Sequence, residues 1–341
     1  GCGFIGSNFI FKLLEEEHKH SILNIDNLTY AANKESLTLE SDDNSYSFVK
    51  ADICDFKVVN TIIKRFQPNA IVHFAAESHV DRSINNPMKF ISTNIIGTAN
   101  LLKSSLEYSR QTKDKFRFIH ISTDEVYGSL SKSELFTEDS SYNPTSPYSA
   151  SKASADHLVR SWNKTFDFPS IITNCSNNYG PYQFPEKLIP LMITCCLDEK
   201  PLPVYGNGKN IRDWLFVEDH CDAIRIILND GVIGETYNIG GNNEITNLDI
   251  VKTICHVLDK RKPRKNDKSY LELISFVDDR PGHDFRYAID SSKIQKELNW
   301  SPSETFDSGI NKTIMWYLNN QDWCRKIQNN NYSQERLGLE K

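Results

Sequence analysis

Two short stretches carry residue types that can move protons. Tyr148-Ser149-Ala150-Ser151-Lys152 sets a tyrosine and a lysine four apart, so on a helix they share one face, one turn above the other. A free phenol ionises near pH ~10, too high for a base at neutral pH, and a nearby cation lowers that value. The pair is therefore a candidate base that takes a hydroxyl proton while a hydride leaves the same carbon. Ser122-Thr123-Asp124-Glu125-Val126-Tyr127-Gly128 presents two adjacent carboxyl groups where an apolar run ends. Simple redox chemistry has no use for two acids side by side. An elimination does, because one proton is removed and another delivered.

Both stretches need a scaffold, and the chain opens with one. Gly1-Cys2-Gly3-Phe4-Ile5-Gly6 is a G-x-G-x-x-G loop, whose glycines let backbone approach a pyrophosphate at a helix N-terminus. Asn8 to Glu17 reads as the helix that follows. The strand expected before such a loop is missing, so the chain is expected to be a piece of a longer one, without its first strand. Ser21 to Asp26 reads as a strand ending in an acid twenty residues after Gly6. A dinucleotide fold places the acid that binds the adenosine ribose at this spacing, and a carboxylate there repels a 2′-phosphate, so NAD is expected over NADP. Tyr46–Lys50, followed by Asp52 and Ile53, then Ala70–Ala76, Phe116–Ser122 and Ser170–Thr173 read as further strands. Helices lie between them, for example over Val58–Phe66 and Ile95–Glu107. The alternation predicts an α/β fold with a doubly wound, parallel, Rossmann-type sheet and ligands at the strands' carboxyl ends. The boundary is expected near Tyr179-Gly180-Pro181. Residues 1–179 would form the NAD-binding domain, joined by a later segment around 211–241, and 180–341 a smaller α/β substrate domain.

With 341 residues, 39% hydrophobic and 11% aromatic, the chain can bury a large core and is not intrinsically disordered. Its net charge of −6 argues against a nucleic-acid partner, though not against a local cationic site. Eight scattered cysteines without a C-x-x-C pair fit a reducing, cytoplasmic compartment. There is no H-E-x-x-H, and His18-Lys19-His20 reads as a solvated helix end, so no metal site is expected. No apolar run is long enough for a membrane span. The basic run Lys260–Lys268 reads as a solvated loop, and the polar tail after Asn329 is expected to fray.

The loop, the Tyr-Lys pair and the acid pair together resemble the extended short-chain dehydrogenase/reductase family, and within it the nucleotide-sugar 4,6-dehydratases. Ala75–Ser83 (A-A-E-S-H-V-D-R-S), Asn174–Tyr182, Pro185–Pro190, Ile211–Trp214, Tyr237–Gly241 and Asp279–Asp284 narrow the likeness to the dTDP-glucose 4,6-dehydratase family, from Gly1 to about Trp316. Ala32 departs from the family pattern, which has glycine there. The resemblance implies NAD contacts from Gly1, Gly3, Phe4, Ile5, Gly6, Asp26, Asn27, Leu28, Thr29, Asp52, Ile53, Phe74, Ala75, Ala76, Glu77, Ser78, Thr93, Tyr148, Lys152 and Asn178. It implies contacts to the nucleotide sugar from Ser78, Thr123, Asn177, Lys187, Leu188, Pro203, Val204, Tyr205, Arg212, Asn247, Asp279, Arg280, Pro281, Gly282 and His283. Lys187, Arg212 and Arg280 also suit a diphosphate on chemical grounds. Thr123, Asp124, Glu125, Tyr148 and Lys152 would be catalytic: oxidation at C4, loss of water across C5–C6, and hydride return to C6. A homodimer is implied by the resemblance alone. The alternatives are a UDP-glucose 4,6-dehydratase, a nucleotide-sugar 4-epimerase, which would lack the acid pair, and a redox-sensing binding protein, which would lose the Tyr or the Lys.

Overall fold

Strands form where Val, Ile, Phe and Tyr run together, and helices where apolar residues recur every three or four positions. The computed structural model describes residues 1–16, 20–37, 45–112, 115–130 and 134–331. Its strands are β1 (Ile22–Asp26), β2 (Tyr46–Lys50), β3 (Ala70–His73), β4 (Arg117–Thr123), β5 (Ser170–Cys175), β6 (Asn177–Tyr179), β7 (Leu202–Tyr205), β8 (Ile211–Phe216), β9 (Thr236–Ile239), β10 (Glu244–Thr246) and β11 (Ile274–Val277). β3, β4, β5 and β9 make one parallel sheet in that order, and β1 pairs in parallel with β2. β1 and β3 are not hydrogen-bonded to each other. A slot of about 410 Å³ lies between them, walled by Ile22–Ile25 and Ala70–His73 and lined by Phe9, Ile10, Leu13, Ile63 and Leu101. β6, β8 and β10 form a second sheet, and β7 pairs with β11.

Phe118, Ile119, Ile171, Ile172, Tyr237 and Ile239 are buried in the main sheet. Each such side chain stabilises the fold by roughly 1.5–3 kcal/mol on burial. A second core gathers Ile189, Met192, Ile193, Leu202, Val204, Ile250, Ile254, Ile310 and Ile314. The helix Phe56–Phe66 starts where Asp55 accepts from the Val58 N–H, buries Val59 and Ile63 one turn apart, and stops at Gln67 in the left-handed region.

Several elements differ from the sequence reading. The first helix runs Phe4–Leu14; Glu17, His18 and Lys19 lie outside the described residues, as do those beyond 331. The expected strand Ala70–Ala76 ends at His73, so Phe74–Ser78 is free to line a cleft. The next strand reaches Thr123, one residue further than expected. The expected helix Ile95–Glu107 is a π-helix, Ile91–Gly97, running into an α-helix, Thr98–Ser109. Most of the run Lys260–Lys268 is exposed, with Arg264 paired to Glu199 at 3.0 Å.

Candidate active site

The catalytic helix owes its start to local sequence. Ser146 and Ser149 form a reciprocal capping box, and Pro147 supplies a pre-set first turn. The helix runs Pro147–Phe166 and buries Tyr148, Ser151, Lys152 and Asp156 on the face that meets β4. Lys152 Nζ donates to the Ile121 carbonyl at 2.8 Å, which ties the helix to the end of that strand. The chain then turns through a 3₁₀ segment, Asp124–Tyr127, capped by Thr123, whose Oγ1 accepts from the Glu125 N–H at 3.3 Å. Thr123, Glu125, Tyr148 and Lys152 line one cleft of about 480 Å³, and Asp124 lies buried behind them.

The electrostatics separate the two acids. Asp124 has one carboxylate oxygen without a hydrogen-bond partner, and burial, Glu125 and Asp213 all push its carboxyl well above the usual range. Glu125 is raised by burial too, but Arg280, Lys187 and Arg212 pull it back down. Tyr148 differs from the sequence expectation. Burial and the Glu125 charge push its phenol well above the ordinary value, while the Thr123 hydroxyl works the other way. Lys152 is itself lowered by desolvation and donates to the Ile121 carbonyl.

The same cleft fits a dinucleotide. The helix Phe4–Leu14 has no side-chain cap and no acid in its first turn, which leaves its N–H groups open to an anion. A Cβ on Gly6 would meet the Gly1 Cα at 2.8 Å, whereas one on Gly3 would meet nothing within 4 Å. Asp26 accepts from the Cys2 and Leu28 N–H groups at 2.8 Å each. The cleft wall includes Gly1, Gly3, Phe4, Ile5, Gly6, Asp26, Asn27, Thr29, Asp52, Ile53, Phe74–Ser78, Thr93 and Asn178, so these residues are brought together. Leu28 is not among them; it packs against Cys2 and Ile10 instead.

Of the residues expected to meet a nucleotide sugar, Ser78, Thr123, Asn177 and Lys187 share that wall, and Lys187 Nζ donates to the Ser78 carbonyl at 2.9 Å. Arg280 and Tyr205 are drawn in by a residue the sequence reading left unassigned. Asp81 accepts from Arg280 at 2.8 Å and from the Tyr205 hydroxyl at 3.2 Å. Arg280 retains a buried Nε without a partner. Arg212 is buried with its terminal nitrogens on the carbonyls of Ile211, Asp284 and Phe285, so it acts on the site through its charge. Tyr205 meets His283 edge-on at 6.3 Å, and Asp279 accepts from His283 at 2.6 Å. Val204 is buried in the second core with Leu188 packed on it; Pro203 and Asn247 are half-buried, and Pro281 and Gly282 are exposed. Glu186 is a second unassigned clasp, holding Arg82 at 2.8 Å and Tyr30 at 3.0 Å. Asn94, in the π-helix, bonds the Glu77 backbone twice and Ser151 once, joining cofactor loop to catalytic helix. Asp81, Arg82 and Glu186 all lie within the motifs that carried the resemblance, which was the available signal.

Residues 1–313 match the family model described as GDP-mannose 4,6 dehydratase. A dTDP-glucose 4,6-dehydratase of Neisseria meningitidis serogroup B is 54% identical over 100% of this chain and 98% of its own length. The chain belongs to the dTDP-glucose 4,6-dehydratase family. An Escherichia coli member is also 54% identical, over 99% of this chain and 98% of its own. A crystal structure of the Bacillus anthracis dTDP-glucose 4,6-dehydratase in complex with NAD superposes with a TM-score of 0.85 at 44% identity, covering 96% of this chain and 97% of that one. The Streptomyces venezuelae dTDP-glucose 4,6-dehydratase, with NAD and a second ligand bound, gives 0.88 at 40%, with the same coverage. The Thermotoga maritima UDP-glucose 4-epimerase, at 24% identity and a TM-score of 0.83, shares the fold. Within the family's fold, the chain places Glu125 and its Tyr-Lys pair on one cleft, with Asp124 buried behind it.

Proposed function

We propose that the protein is an NAD-dependent hydro-lyase that converts dTDP-glucose to dTDP-4-keto-6-deoxy-glucose. The observation that carries the reading is the acid pair Asp124-Glu125 at the end of β4, beside the cleft that holds Tyr148 and Lys152. An epimerase has no work for that pair. The identity to dTDP-glucose 4,6-dehydratases favours dTDP-glucose over UDP-glucose.

The chemistry supplied by bound NAD is hydride uptake at C4 and hydride return at C6, and its pyridinium charge favours a nearby phenolate. Tyr148 accepts the C4 hydroxyl proton, with Lys152 and Thr123 supporting its ionised form. The resulting ketone acidifies the C5 hydrogen, so oxidation must precede elimination. Glu125 removes that C5 proton. Asp124, kept protonated by burial and by its acidic neighbours, delivers a proton to the departing C6 hydroxyl. Glu125 then returns its proton to C5. Lys187 and Arg280 hold the diphosphate, which fixes the hexose over these groups.

Residues 1–179 with the segment around 211–241 serve as the cofactor half, supported by β9 joining the main sheet, and 180–341 as the sugar half. The protein works as a cytoplasmic homodimer. The exposed apolar residues Met88, Ile91 and Ile96 near the π-helix support an interface, and eight free cysteines, all but Cys54 buried, support a reducing compartment. Among the described residues no helix is long and apolar enough to cross a membrane. Offering dTDP-glucose and UDP-glucose in competition tests the function. The dTDP sugar is expected to yield the alkali-absorbing keto-deoxy product preferentially; a 4-epimer as product would refute the reading.

A further inference from the structure

Asp156 is a fully buried carboxylate one turn beyond Lys152 and two beyond Tyr148, and the chemistry above gives it no task. Its Oδ2 accepts from Ser122 Oγ at 2.8 Å and from the Tyr142 hydroxyl at 2.9 Å. Its Oδ1 stands 3.1 Å from His120 Nε2, in ion-pair range but out of line for a hydrogen bond. His120 and Ser122 sit on alternate positions of β4 and so face the same side, while the intervening Ile121 carbonyl takes the Lys152 ammonium. Asp156 and Lys152 therefore staple the catalytic helix to the strand that carries Thr123, Asp124 and Glu125.

Charge makes the staple more than mechanical. Other ionisable groups around the pair come from each packed element: His120 on β4, His73 on β3 with its ring 5.2 Å from that of His120, Cys175 on β5, Tyr148 on the helix itself, and Tyr142 with Arg160 on its hydroxyl at 2.8 Å. His120 is held neutral, with burial bringing it to about 4, and burial raises the Cys175 thiol to about 12. Arg160 is engaged on the far side of Tyr142. Asp156 is left as the anion that balances the buried Lys152 ammonium.

We propose that Asp156 is a positioning residue for the oxidation step: the buried counter-ion that keeps Lys152 charged and registers the Tyr148 helix on β4. This rests on the reading of Tyr148 and Lys152 as the base pair. An opposite charge within about 4–6 Å moves a pKa by about 1–3 units. In Asp156→Asn, which preserves shape, the alkaline limb of the pH profile for sugar oxidation is expected to fall by about one pH unit or more, with the acid limb in place. A second readout needs no turnover: the ¹³C resonance of the Lys152 side chain, assigned with Lys152→Arg, should titrate lower by the same amount. A variant slower at every pH, with limb and resonance unmoved, would make Asp156 a mechanical staple only and overturn the proposal. If Asp156→Asn does not fold, the carboxyl ¹³C resonance of Asp156 in the unsubstituted protein should report an ionised group across the working pH range; a protonated carboxyl there overturns the proposal equally. A resonance shift in a protein that oxidises no nucleotide sugar would sink the functional reading and leave the counter-ion standing.

Discussion

Glu125→Gln separates the two halves of the reaction. The substitution keeps the shape of the side chain and removes one negative charge from beneath Arg280, Lys187 and Arg212. That charge is also among the causes that raise Tyr148 and Asp124. Its loss makes the phenol easier to ionise, so oxidation at C4 is expected to run at the wild-type rate or faster. Elimination loses its base. A positioned general base contributes about 10²–10⁴ in rate, or roughly 3–5 kcal/mol of barrier, and elimination should slow by that factor. The assay is rapid mixing of the variant with dTDP-glucose. The near-ultraviolet absorbance of reduced nicotinamide should rise and persist, keto-deoxy product should lag behind it, and solvent deuterium should fail to enter C5. Product released at the wild-type rate would refute the assignment of the base. Equal losses in oxidation and elimination would refute the separation of roles, because a charge that only raises Tyr148 cannot slow the first step by its removal.

Tyr148→Phe is expected to abolish the first step, so no absorbance of reduced nicotinamide develops on mixing; an unchanged burst would contradict the role of the phenol. Asp81→Asn frees Arg280 and Tyr205 from their shared partner, and KM for the nucleotide sugar should rise about tenfold, the equivalent of one charge-assisted hydrogen bond, with kcat within about threefold. A fall in kcat with KM unchanged would remove Asp81 from substrate positioning. Acid should destabilise the protein through its buried histidines. His120 is lowered to about 4 and His220 to about 3, so the unfolded chain binds more protons below the ordinary histidine value. Stability is then full above pH ~6.5 and falls by about 3 kcal/mol per histidine as pH drops to ~4. Denaturant midpoints that stay flat across that window would contradict this.

The scaffold was legible because its signals are local. The glycine loop with its helix, the acid twenty residues on, and the strand-helix alternation are each read from a window of a few residues, and so are the Tyr148–Lys152 spacing and the Asp124-Glu125 pair. What sequence could not supply is the direction in which a side chain turns once packed. Lys152 was expected to face the phenol and instead donates to the Ile121 carbonyl, because a buried ammonium needs acceptors and the end of β4 offers one. Arg212 was expected on a diphosphate and spends its terminal donors on carbonyls of a strand edge. Asp81 meets Arg280 across 199 positions of sequence, a contact no periodicity encodes. Ala70–Ala76 reads as one apolar strand, yet it ends at His73, since the remainder serves the cleft rather than the sheet.

These misplaced charges make one coherent arrangement when the two halves are taken together. Glu125 is buried enough to be a strong base, and three cations restrain it. All three come from beyond residue 180, while Tyr148, Asp124 and Glu125 itself lie before it. A diphosphate brought to Lys187 and Arg280 offsets the cations that hold Glu125 down, so its basicity rises in the event that carries C5 to it. Before that event the same cations favour the ionised form of Glu125, whose charge is among the causes that raise Asp124. Base and acid are thus set apart by one field whose strength depends on the substrate's own charge, and a neutral sugar lacking the diphosphate would meet a weaker base even if it reached the same position.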